Sequence, residues 1–239
     1  MRPLCPAWER AYGTIGGVRA LTALLAAALL AGCGADPDPR TIRILPLGDS
    51  ITDGFSVPGA YRTELYRRLT ADGMRVDFVG SRRGGPRDLP DRDHEGHPGL
   101  RIDEIDADVT KWVNATDPRI VLIHLGTNDV VQDARLTEAP QRLGRLIDHI
   151  AATAPGADIY VASLVPLADP VWQARADAFN AALPDLVAAK GPRVHLVDMR
   201  AALTVADLDD GVHPSAAGYA KMAAAWAAAL RPDATRSGR

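Results

Sequence analysis

Leu45-Pro46-Leu47-Gly48-Asp49-Ser50-Ile51-Thr52 is an apolar run that ends in a tight turn carrying a serine. Residues 41–47 predict a short buried strand, Gly48 begins the turn, and a helical pattern resumes near Tyr61. A serine at the carboxyl end of a strand, just before a helix, sits where open α/β sheets collect their ligands. Gly-Asp-Ser is also an ordinary turn sequence. Its meaning depends on the rest of the chain.

Beyond this turn, helical and strand patterns alternate. Tyr61, Leu65 and Leu69 fall at helical spacing over residues 60–71, and Gly73 ends that helix. Val76-Asp77-Phe78-Val79 predicts a second strand, and residues 81–99 a long loop rich in Gly, Pro and charge. Ile102, Ile105, Val109, Trp112 and Val113 mark one face of a second helix. Residues 120–125 are apolar almost throughout, as a central parallel strand buried on both faces must be. A helix over about 137–153 turns Leu143, Leu146, Ile147 and Ile150 inward; residues 159–165 predict a fourth strand. Residues 171–189 are helical but broken or kinked by Pro184. Residues 194–197 give a fifth strand, and 215–230 an alanine-rich closing helix. Strands and helices in alternation, joined by right-handed crossovers, predict a doubly wound parallel sheet in one domain.

The 239 residues, 47% of them hydrophobic, are ample for one full core. A net charge of −3 without any basic run argues against nucleic acid as a partner. Aromatic residues, at 5%, are too few for a long polysaccharide platform. At the amino terminus, Arg2, Arg10 and Arg19 precede an apolar run over 20–30, too short to span a membrane but suited to a signal-peptide core. That run ends in Leu30-Ala31-Gly32-Cys33, which resembles the bacterial lipobox. The resemblance implies cleavage before Cys33 and a diacylglycerol on its thiol. Residues 1–32 are then a signal peptide and 33–40 the lipidated cysteine with a short tether. A folded domain occupies 41–232, and 233–239 form a tail. The protein is expected to be exported and anchored to the cell envelope at Cys33; an ordinary secretory signal and a soluble enzyme is the alternative. Translation from Val18 instead of Met1 would give a signal of more usual length. Cys5 leaves with the signal, so no free thiol remains for a disulfide. The same cleavage removes three Arg and one Glu and takes the net charge from −3 to −5. Two acyl chains would anchor the protein stably, where one would not.

Three polar clusters come immediately after strands or in loops that can reach strand ends: Asp49-Ser50, Gly126-Thr127-Asn128-Asp129 and, after strand five, Asp210-Gly211-Val212-His213-Pro214. In a parallel sheet the carboxyl ends of strands share one edge, so residues far apart in sequence converge there. A serine hydroxyl needs a base within hydrogen-bond reach, and histidine suits that task near neutral pH. Asp210, three residues before His213, can accept the Nδ1 proton and turn Nε2 toward Ser50. The Ser50 N–H, a glycine N–H and the Asn128 amide are candidate donors for an oxyanion. Asp49 and Asp129 are expected to brace loops, and Asp209 fits the spacing to His213 less well than Asp210. His124 and His195, inside strands, read as satisfied core or edge histidines. His94-Glu95-Gly96-His97 invites a zinc reading, but zincin histidines stand four apart on a helix and these stand three apart in a loop. Neither a metal nor an organic cofactor is expected, and this loop is assigned to the rim of the acyl pocket.

Gly-Asp-Ser-Ile-Thr, a loop glycine, Gly-Thr-Asn-Asp and Asp-x-x-His, in that order, resemble the four blocks of the SGNH (GDSL-type) hydrolases, over about residues 43–230. Gly59-Ala60-Tyr61-Arg62, Asp77-Phe78-Val79-Gly80-Ser81 and His94-Glu95-Gly96-His97-Pro98-Gly99 narrow the likeness to the third family of carbohydrate esterases, the acetyl xylan esterases and relatives. The resemblance implies an α/β fold, a flavodoxin-like three-layer α/β/α sandwich with a five-stranded parallel sheet, and makes 41–232 the catalytic domain. It implies Ser50 as nucleophile, His213 as base, Asp210 as its orienting acid, and Ser50, Gly99 and Asn128 as the oxyanion hole. Gly99 is preferred because Leu100 and Ile102 come after it as the family's hydrophobic residue and helix do; Gly96 is the alternative. Leu100 departs from the aromatic often found there. A Gly-x-Ser-x-Gly elbow is absent around Ser50, which disfavours the α/β-hydrolase fold. The implied function is hydrolysis of small acetyl esters on carbohydrate. A lysophospholipase or thioesterase is the second reading, and a non-catalytic carbohydrate-binding protein the third.

Overall fold

The structure, a computed structural model, describes residues 40–231. The expected signal peptide, Cys33 with most of its tether, and the tail lie outside the described residues. In chain order, β1 (Ile42–Gly48) leads into a one-turn helix α1 (Ser50–Asp53) and then α2 (Ala60–Ala71). β2 (Val76–Phe78), β3 (Arg82–Arg83), β4 (Asp93–Gly96) and α3 (Ile102–Thr116) come next. After them lie β5 (Ile120–His124), α4 (Thr127–Val131), α5 (Ala139–Thr153) and β6 (Asp158–Ala162). The chain continues through α6 (Pro170–Ala181), α7 (Leu183–Ala188), β7 (Val194–Val197) and α8 (Ala216–Leu230). Pro184 lies in the first turn of α7, where its missing N–H costs nothing, so the predicted break is the start of a new helix.

Five strands run parallel in the order β2-β1-β5-β6-β7, the flavodoxin order. The sheet has seven strands, not the five expected, because the 81–99 loop contributes two. β4 pairs in parallel with the end of β1, Leu47 beside Glu95 and Gly48 beside Gly96, while β2 takes the first half of the same edge. β3 pairs antiparallel with β4. Asp-His-Glu-Gly has no apolar alternation, so β4 is invisible as a strand in the sequence; its pairing is tertiary. It depends on close approach. A Cβ on Gly48 would lie 2.3 Å from the His124 carbonyl oxygen, and one on Gly96 would lie 2.4 Å from the Asp53 nitrogen.

The parallel strands divide their side chains by the period of two. Leu45, Leu47, Val121 and Ile123 face α3 and α5, packing with Ile105, Val109, Leu146 and Ile147. Ile44, Ile120 and Leu122 face α2 and α8, with Tyr61, Leu65, Met222 and Trp226. Each such side chain contributes about 1.5–3 kcal/mol on burial. Two apolar layers therefore hold the sheet rigid, and its carboxyl edge is left to polar turns.

Candidate active site

β1 ends at Gly48 beside His124, the last residue of β5. This register brings the turns after both strands side by side. Asp49 caps α1, its Oδ1 accepting the Ile51 N–H at 2.9 Å, and so fixes Ser50 at the helix start. Ser50 Oγ lies 2.8 Å from His213 Nε2, and His213 Nδ1 lies 2.7 Å from Asp210 Oδ2. The other Asp210 oxygen accepts the backbone N–H of His213 at 2.7 Å and of Val212 at 3.0 Å. Partial burial pulls the Asp210 carboxyl upward. The hydrogen bonds from the His213 backbone, the imidazole and Val212 outweigh it, and the group is held down at about 2. An ionised Asp210 assigns the proton to Nδ1 and leaves Nε2 to accept from the Ser50 hydroxyl. A serine so arranged can give up its proton as it attacks a carbonyl carbon. Asp209 donates its backbone N–H to the His213 carbonyl at 2.9 Å.

Gly99 lies in the turn His97-Pro98-Gly99-Leu100, closed by the Leu100 N–H on the His97 carbonyl at 3.2 Å. Proline at the second position and a φ of +83° at Gly99 are the marks of a type II turn. Asn128 Nδ2 donates to the Leu100 carbonyl at 3.0 Å, and Gln132 Nε2 to the Gly99 carbonyl at 3.3 Å. Asp129 accepts the Ile102 N–H at 3.1 Å and is itself held by the buried Arg142. These bonds staple the Gly99 turn to α4. Among the described residues, neither the Ser50 nor the Gly99 N–H donates to a protein acceptor. The Gly96 N–H, by contrast, is committed to His94 Nδ1 at 3.1 Å.

Several neighbours are legible only in part from the sequence. Asp49 is fully buried; burial drives its carboxyl up to about 6 against the Ile51 hydrogen bond. His124 was expected to be a satisfied histidine, and this is corrected: it is buried, and neither ring nitrogen has a hydrogen-bond partner among the described residues. Burial pushes it down to about 4, so it is neutral. The same correction applies to His195, whose Nε2 has no hydrogen-bond partner among the described residues and whose ring lies tilted against Tyr160 with centroids 4.7 Å apart. His94 is buried and pushed down to about 3 by that burial, while His97 is bonded to Glu95. Among the described residues no three His, Cys, Asp or Glu side chains are grouped to hold a metal ion. Two features went unrecognised in the sequence. Arg62 is buried, and its guanidinium donates to the carbonyls of Thr52, Asp53, Gly84 and Arg92, tying the end of α1 to the β3–β4 segment. Phe55 is 69% exposed, the one aromatic side chain so exposed among the described residues, and its ring centroid is 5.3 Å from that of His213. Arg62 stood within the quoted Gly-Ala-Tyr-Arg block; nothing in the sequence distinguished Phe55.

The chain matches the GDSL-like lipase/acylhydrolase family over residues 47–221. It is similar to a family 3 carbohydrate esterase of Clostridium thermocellum, with 38% identity, 78% of this chain and 93% of that one covered, and a TM-score of 0.71. A carbohydrate esterase family 3 structure from Talaromyces cellulolyticus is 30% identical, covering 79% of this chain and 96% of that one at a TM-score of 0.70. A multidomain esterase of Ruminococcus flavefaciens is 28% identical over 215 residues, 78% of this chain. The chain spans only 28% of that protein's length, and 55% of a second curated relative from Acetivibrio thermocellus.

Proposed function

The chain belongs to the GDSL-like lipase/acylhydrolase family and resembles its carbohydrate esterases, and on that premise we propose that it is a serine esterase removing acetyl groups from carbohydrate. The observation that carries the reading is the hydrogen-bonded line from Ser50 Oγ through His213 to Asp210. Ser50 attacks the acyl carbonyl and passes its proton to His213 Nε2, while Asp210 holds the imidazolium. Negative charge on the carbonyl oxygen is received by the Ser50 N–H, the Gly99 N–H and the second Asn128 amide hydrogen. Gly99 is preferred over Gly96 because the Gly96 N–H is already donated to His94. His213 then protonates the leaving sugar oxygen, and Ser50 retains the acyl group. A water gives its proton to His213, attacks that ester, and releases acetate as the proton returns to Ser50.

The carbohydrate part rests on the family 3 carbohydrate esterases among the similar structures, and on Phe55, whose exposed face beside His213 suits a sugar ring. Export with Cys33 diacylated is supported by the lipobox-like Leu30-Ala31-Gly32-Cys33. The test sets acetate release from acetylated xylan beside hydrolysis of p-nitrophenyl esters of increasing chain length, for wild type and Ser50→Ala. Rates should fall beyond short acyl groups and vanish in the variant; equal residual rates in both proteins would leave only a binding role.

One observation favours the lipolytic alternative. An apolar groove of about 670 Å³ runs between α5 and α6, lined by Leu136, Pro140, Pro170, Val171 and Phe179. Phe179 abuts Gly126, two residues before Asn128. Comparable rates on long acyl chains would favour that alternative.

A further inference from the structure

The hydrolysis just described makes no use of the His94-Glu95-Gly96-His97 run. Glu95 is fully buried, and a buried carboxylate is costly unless its oxygens are met by donors. Three donors meet it: the Ser81 N–H at 2.7 Å, the Ser81 hydroxyl at 2.7 Å and His97 Nε2 at 2.6 Å. The face of the His97 ring is taken as well. It stacks on Trp112 of α3 with centroids 4.5 Å apart and planes 15° from parallel. The backbone of the same residue is committed at both ends, its N–H to the Gly48 carbonyl at 2.9 Å and its carbonyl to the Leu100 N–H at 3.2 Å.

His97 is the first residue of the turn that carries Gly99. Gly99 cannot hold itself: it has no side chain, it is exposed, and a Cβ built there would meet nothing within 4 Å. One hydrogen bond reaches Gly99 itself, from Gln132 Nε2 to its carbonyl at 3.3 Å, and the direction of its N–H is set chiefly from the two ends of the turn. Leu100 is tied by Asn128 at one end, and His97 is gripped between a buried carboxylate and an indole at the other. Electrostatic stabilisation of an oxyanion depends on donors fixed before the charge develops, within about 0.5 Å of the productive geometry. We propose that His97, oriented by Glu95 and Trp112, is a positioning residue that aims the Gly99 N–H at the oxyanion. This rests on Ser50 being the nucleophile and Gly99 an oxyanion donor.

The consequence is a loss confined to turnover. Removing an oxyanion donor outright costs about 10²–10³-fold in kcat, so misdirecting one is expected to cost about 10–100-fold. The experiment measures kcat, KM and the thermal midpoint on p-nitrophenyl acetate for wild type, Ser50→Ala, Gly99→Ala, His97→Ala, His97→Gln and His97→Phe. The expected results are a His97→Ala enzyme with kcat reduced to that extent and KM within about twofold, and a His97→Gln enzyme that recovers most of the rate by donating to Glu95. His97→Phe keeps the stack but not the hydrogen bond, and should remain about tenfold below His97→Gln. In the Gly99→Ala background, His97→Ala should cost much less than it does alone, because both act on one donor. Full additivity of the two, equal kcat in the Gln and Phe variants, or a change in KM alone would overturn the proposal. If His97→Ala does not fold, the Gln-to-Phe ratio decides. Residual activity in Ser50→Ala would instead overturn the underlying reading, whatever His97 does.

Discussion

Asp49 and Asp210 are both aspartates beside Ser50, yet their surroundings drive them in opposite directions. Asp210 is half exposed, and three donors keep it ionised down to about pH 2. Asp210→Asn would offer His213 an amide in place of that carboxylate, losing the charge and the preferred tautomer. Turnover should fall by about 10³–10⁴-fold, with the thermal midpoint nearly unchanged; steady-state kinetics beside a melting curve checks both. Asp49 is buried, one of its oxygens has no partner among the described residues, and its carboxyl is raised from 3.8 to about 6. A raised acid pKa means that the folded state holds the proton more tightly than the unfolded chain. The stability this contributes is complete below about pH 4 and is lost as pH rises through about 6. A rise of that size corresponds to about 3 kcal/mol. Asp49→Asn keeps the acceptor for Ile51 and discards the buried charge. Its urea midpoint should match wild type near pH 4 and exceed it at pH 7; a lower midpoint at pH 7 would make the Asp49 carboxylate a stabilising group. Ser50 and Asn128 were legible because each is a polar break just after an apolar strand, Asp210 and His213 because their spacing pairs an acid with a base, and Gly99 only through the family resemblance. Burial of Asp49 and the unpartnered ring of His124 were not, since both depend on what packs around them.

At the scale of elements, the period-two strands and period-3.6 helices announced themselves, and α2, α3, α5 and α8 lie where their apolar spacing predicts. β4 and α4 did not. They are four and five residues long, carry the polar groups of the site, and are set by tertiary pairing. The two glycines on either side of His97 separate these roles. Gly96 is inside β4, and any side chain there meets the backbone of Asp53 at the end of α1. Backbone cannot swing aside as a side chain can, so Gly96→Ala should cost about 1–3 kcal/mol or more and displace α1 with Ser50. Gly99 has open space but a φ of +83°, and an alanine there pays only the left-handed backbone penalty, about 1–2 kcal/mol, or flips the turn. Gly96→Ala is therefore expected to show the greater fall in melting temperature. Gly99→Ala should show a large fall in kcat for a smaller loss of stability. Similar melting temperatures for the two variants would mean that β4 can shift away from α1 at little cost.

Across the whole domain, the sheet has a direction: the chain enters at one edge and Ser50 stands at the other. The chain enters β1 at Ile42, and Ser50 stands just past the carboxyl end of that strand. Seven residues at about 3.3 Å each separate the two edges by roughly 20–23 Å along the strand alone. A domain of this size is about 40 Å across. If Cys33 carries lipid, the seven residues 34–40 between it and Thr41 extend no more than about 20–25 Å. That is too short to pass around the domain and turn the serine edge onto the bilayer. The anchored enzyme should therefore face away from its own membrane, toward polymer or soluble ester. In reconstituted vesicles, the lipidated protein and a Cys33→Ala form should hydrolyse acetylated xylooligosaccharide with the same kcat/KM. An acetyl ester buried in the bilayer should be spared by the native tether and attacked once some thirty Gly/Ser residues are inserted before Thr41, since a flexible linker of that length spans about 30 Å on average and more when extended. Rapid hydrolysis of the bilayer ester at native tether length would show that the serine edge reaches the membrane, and would move the lipolytic reading, with its apolar groove, ahead of the carbohydrate one.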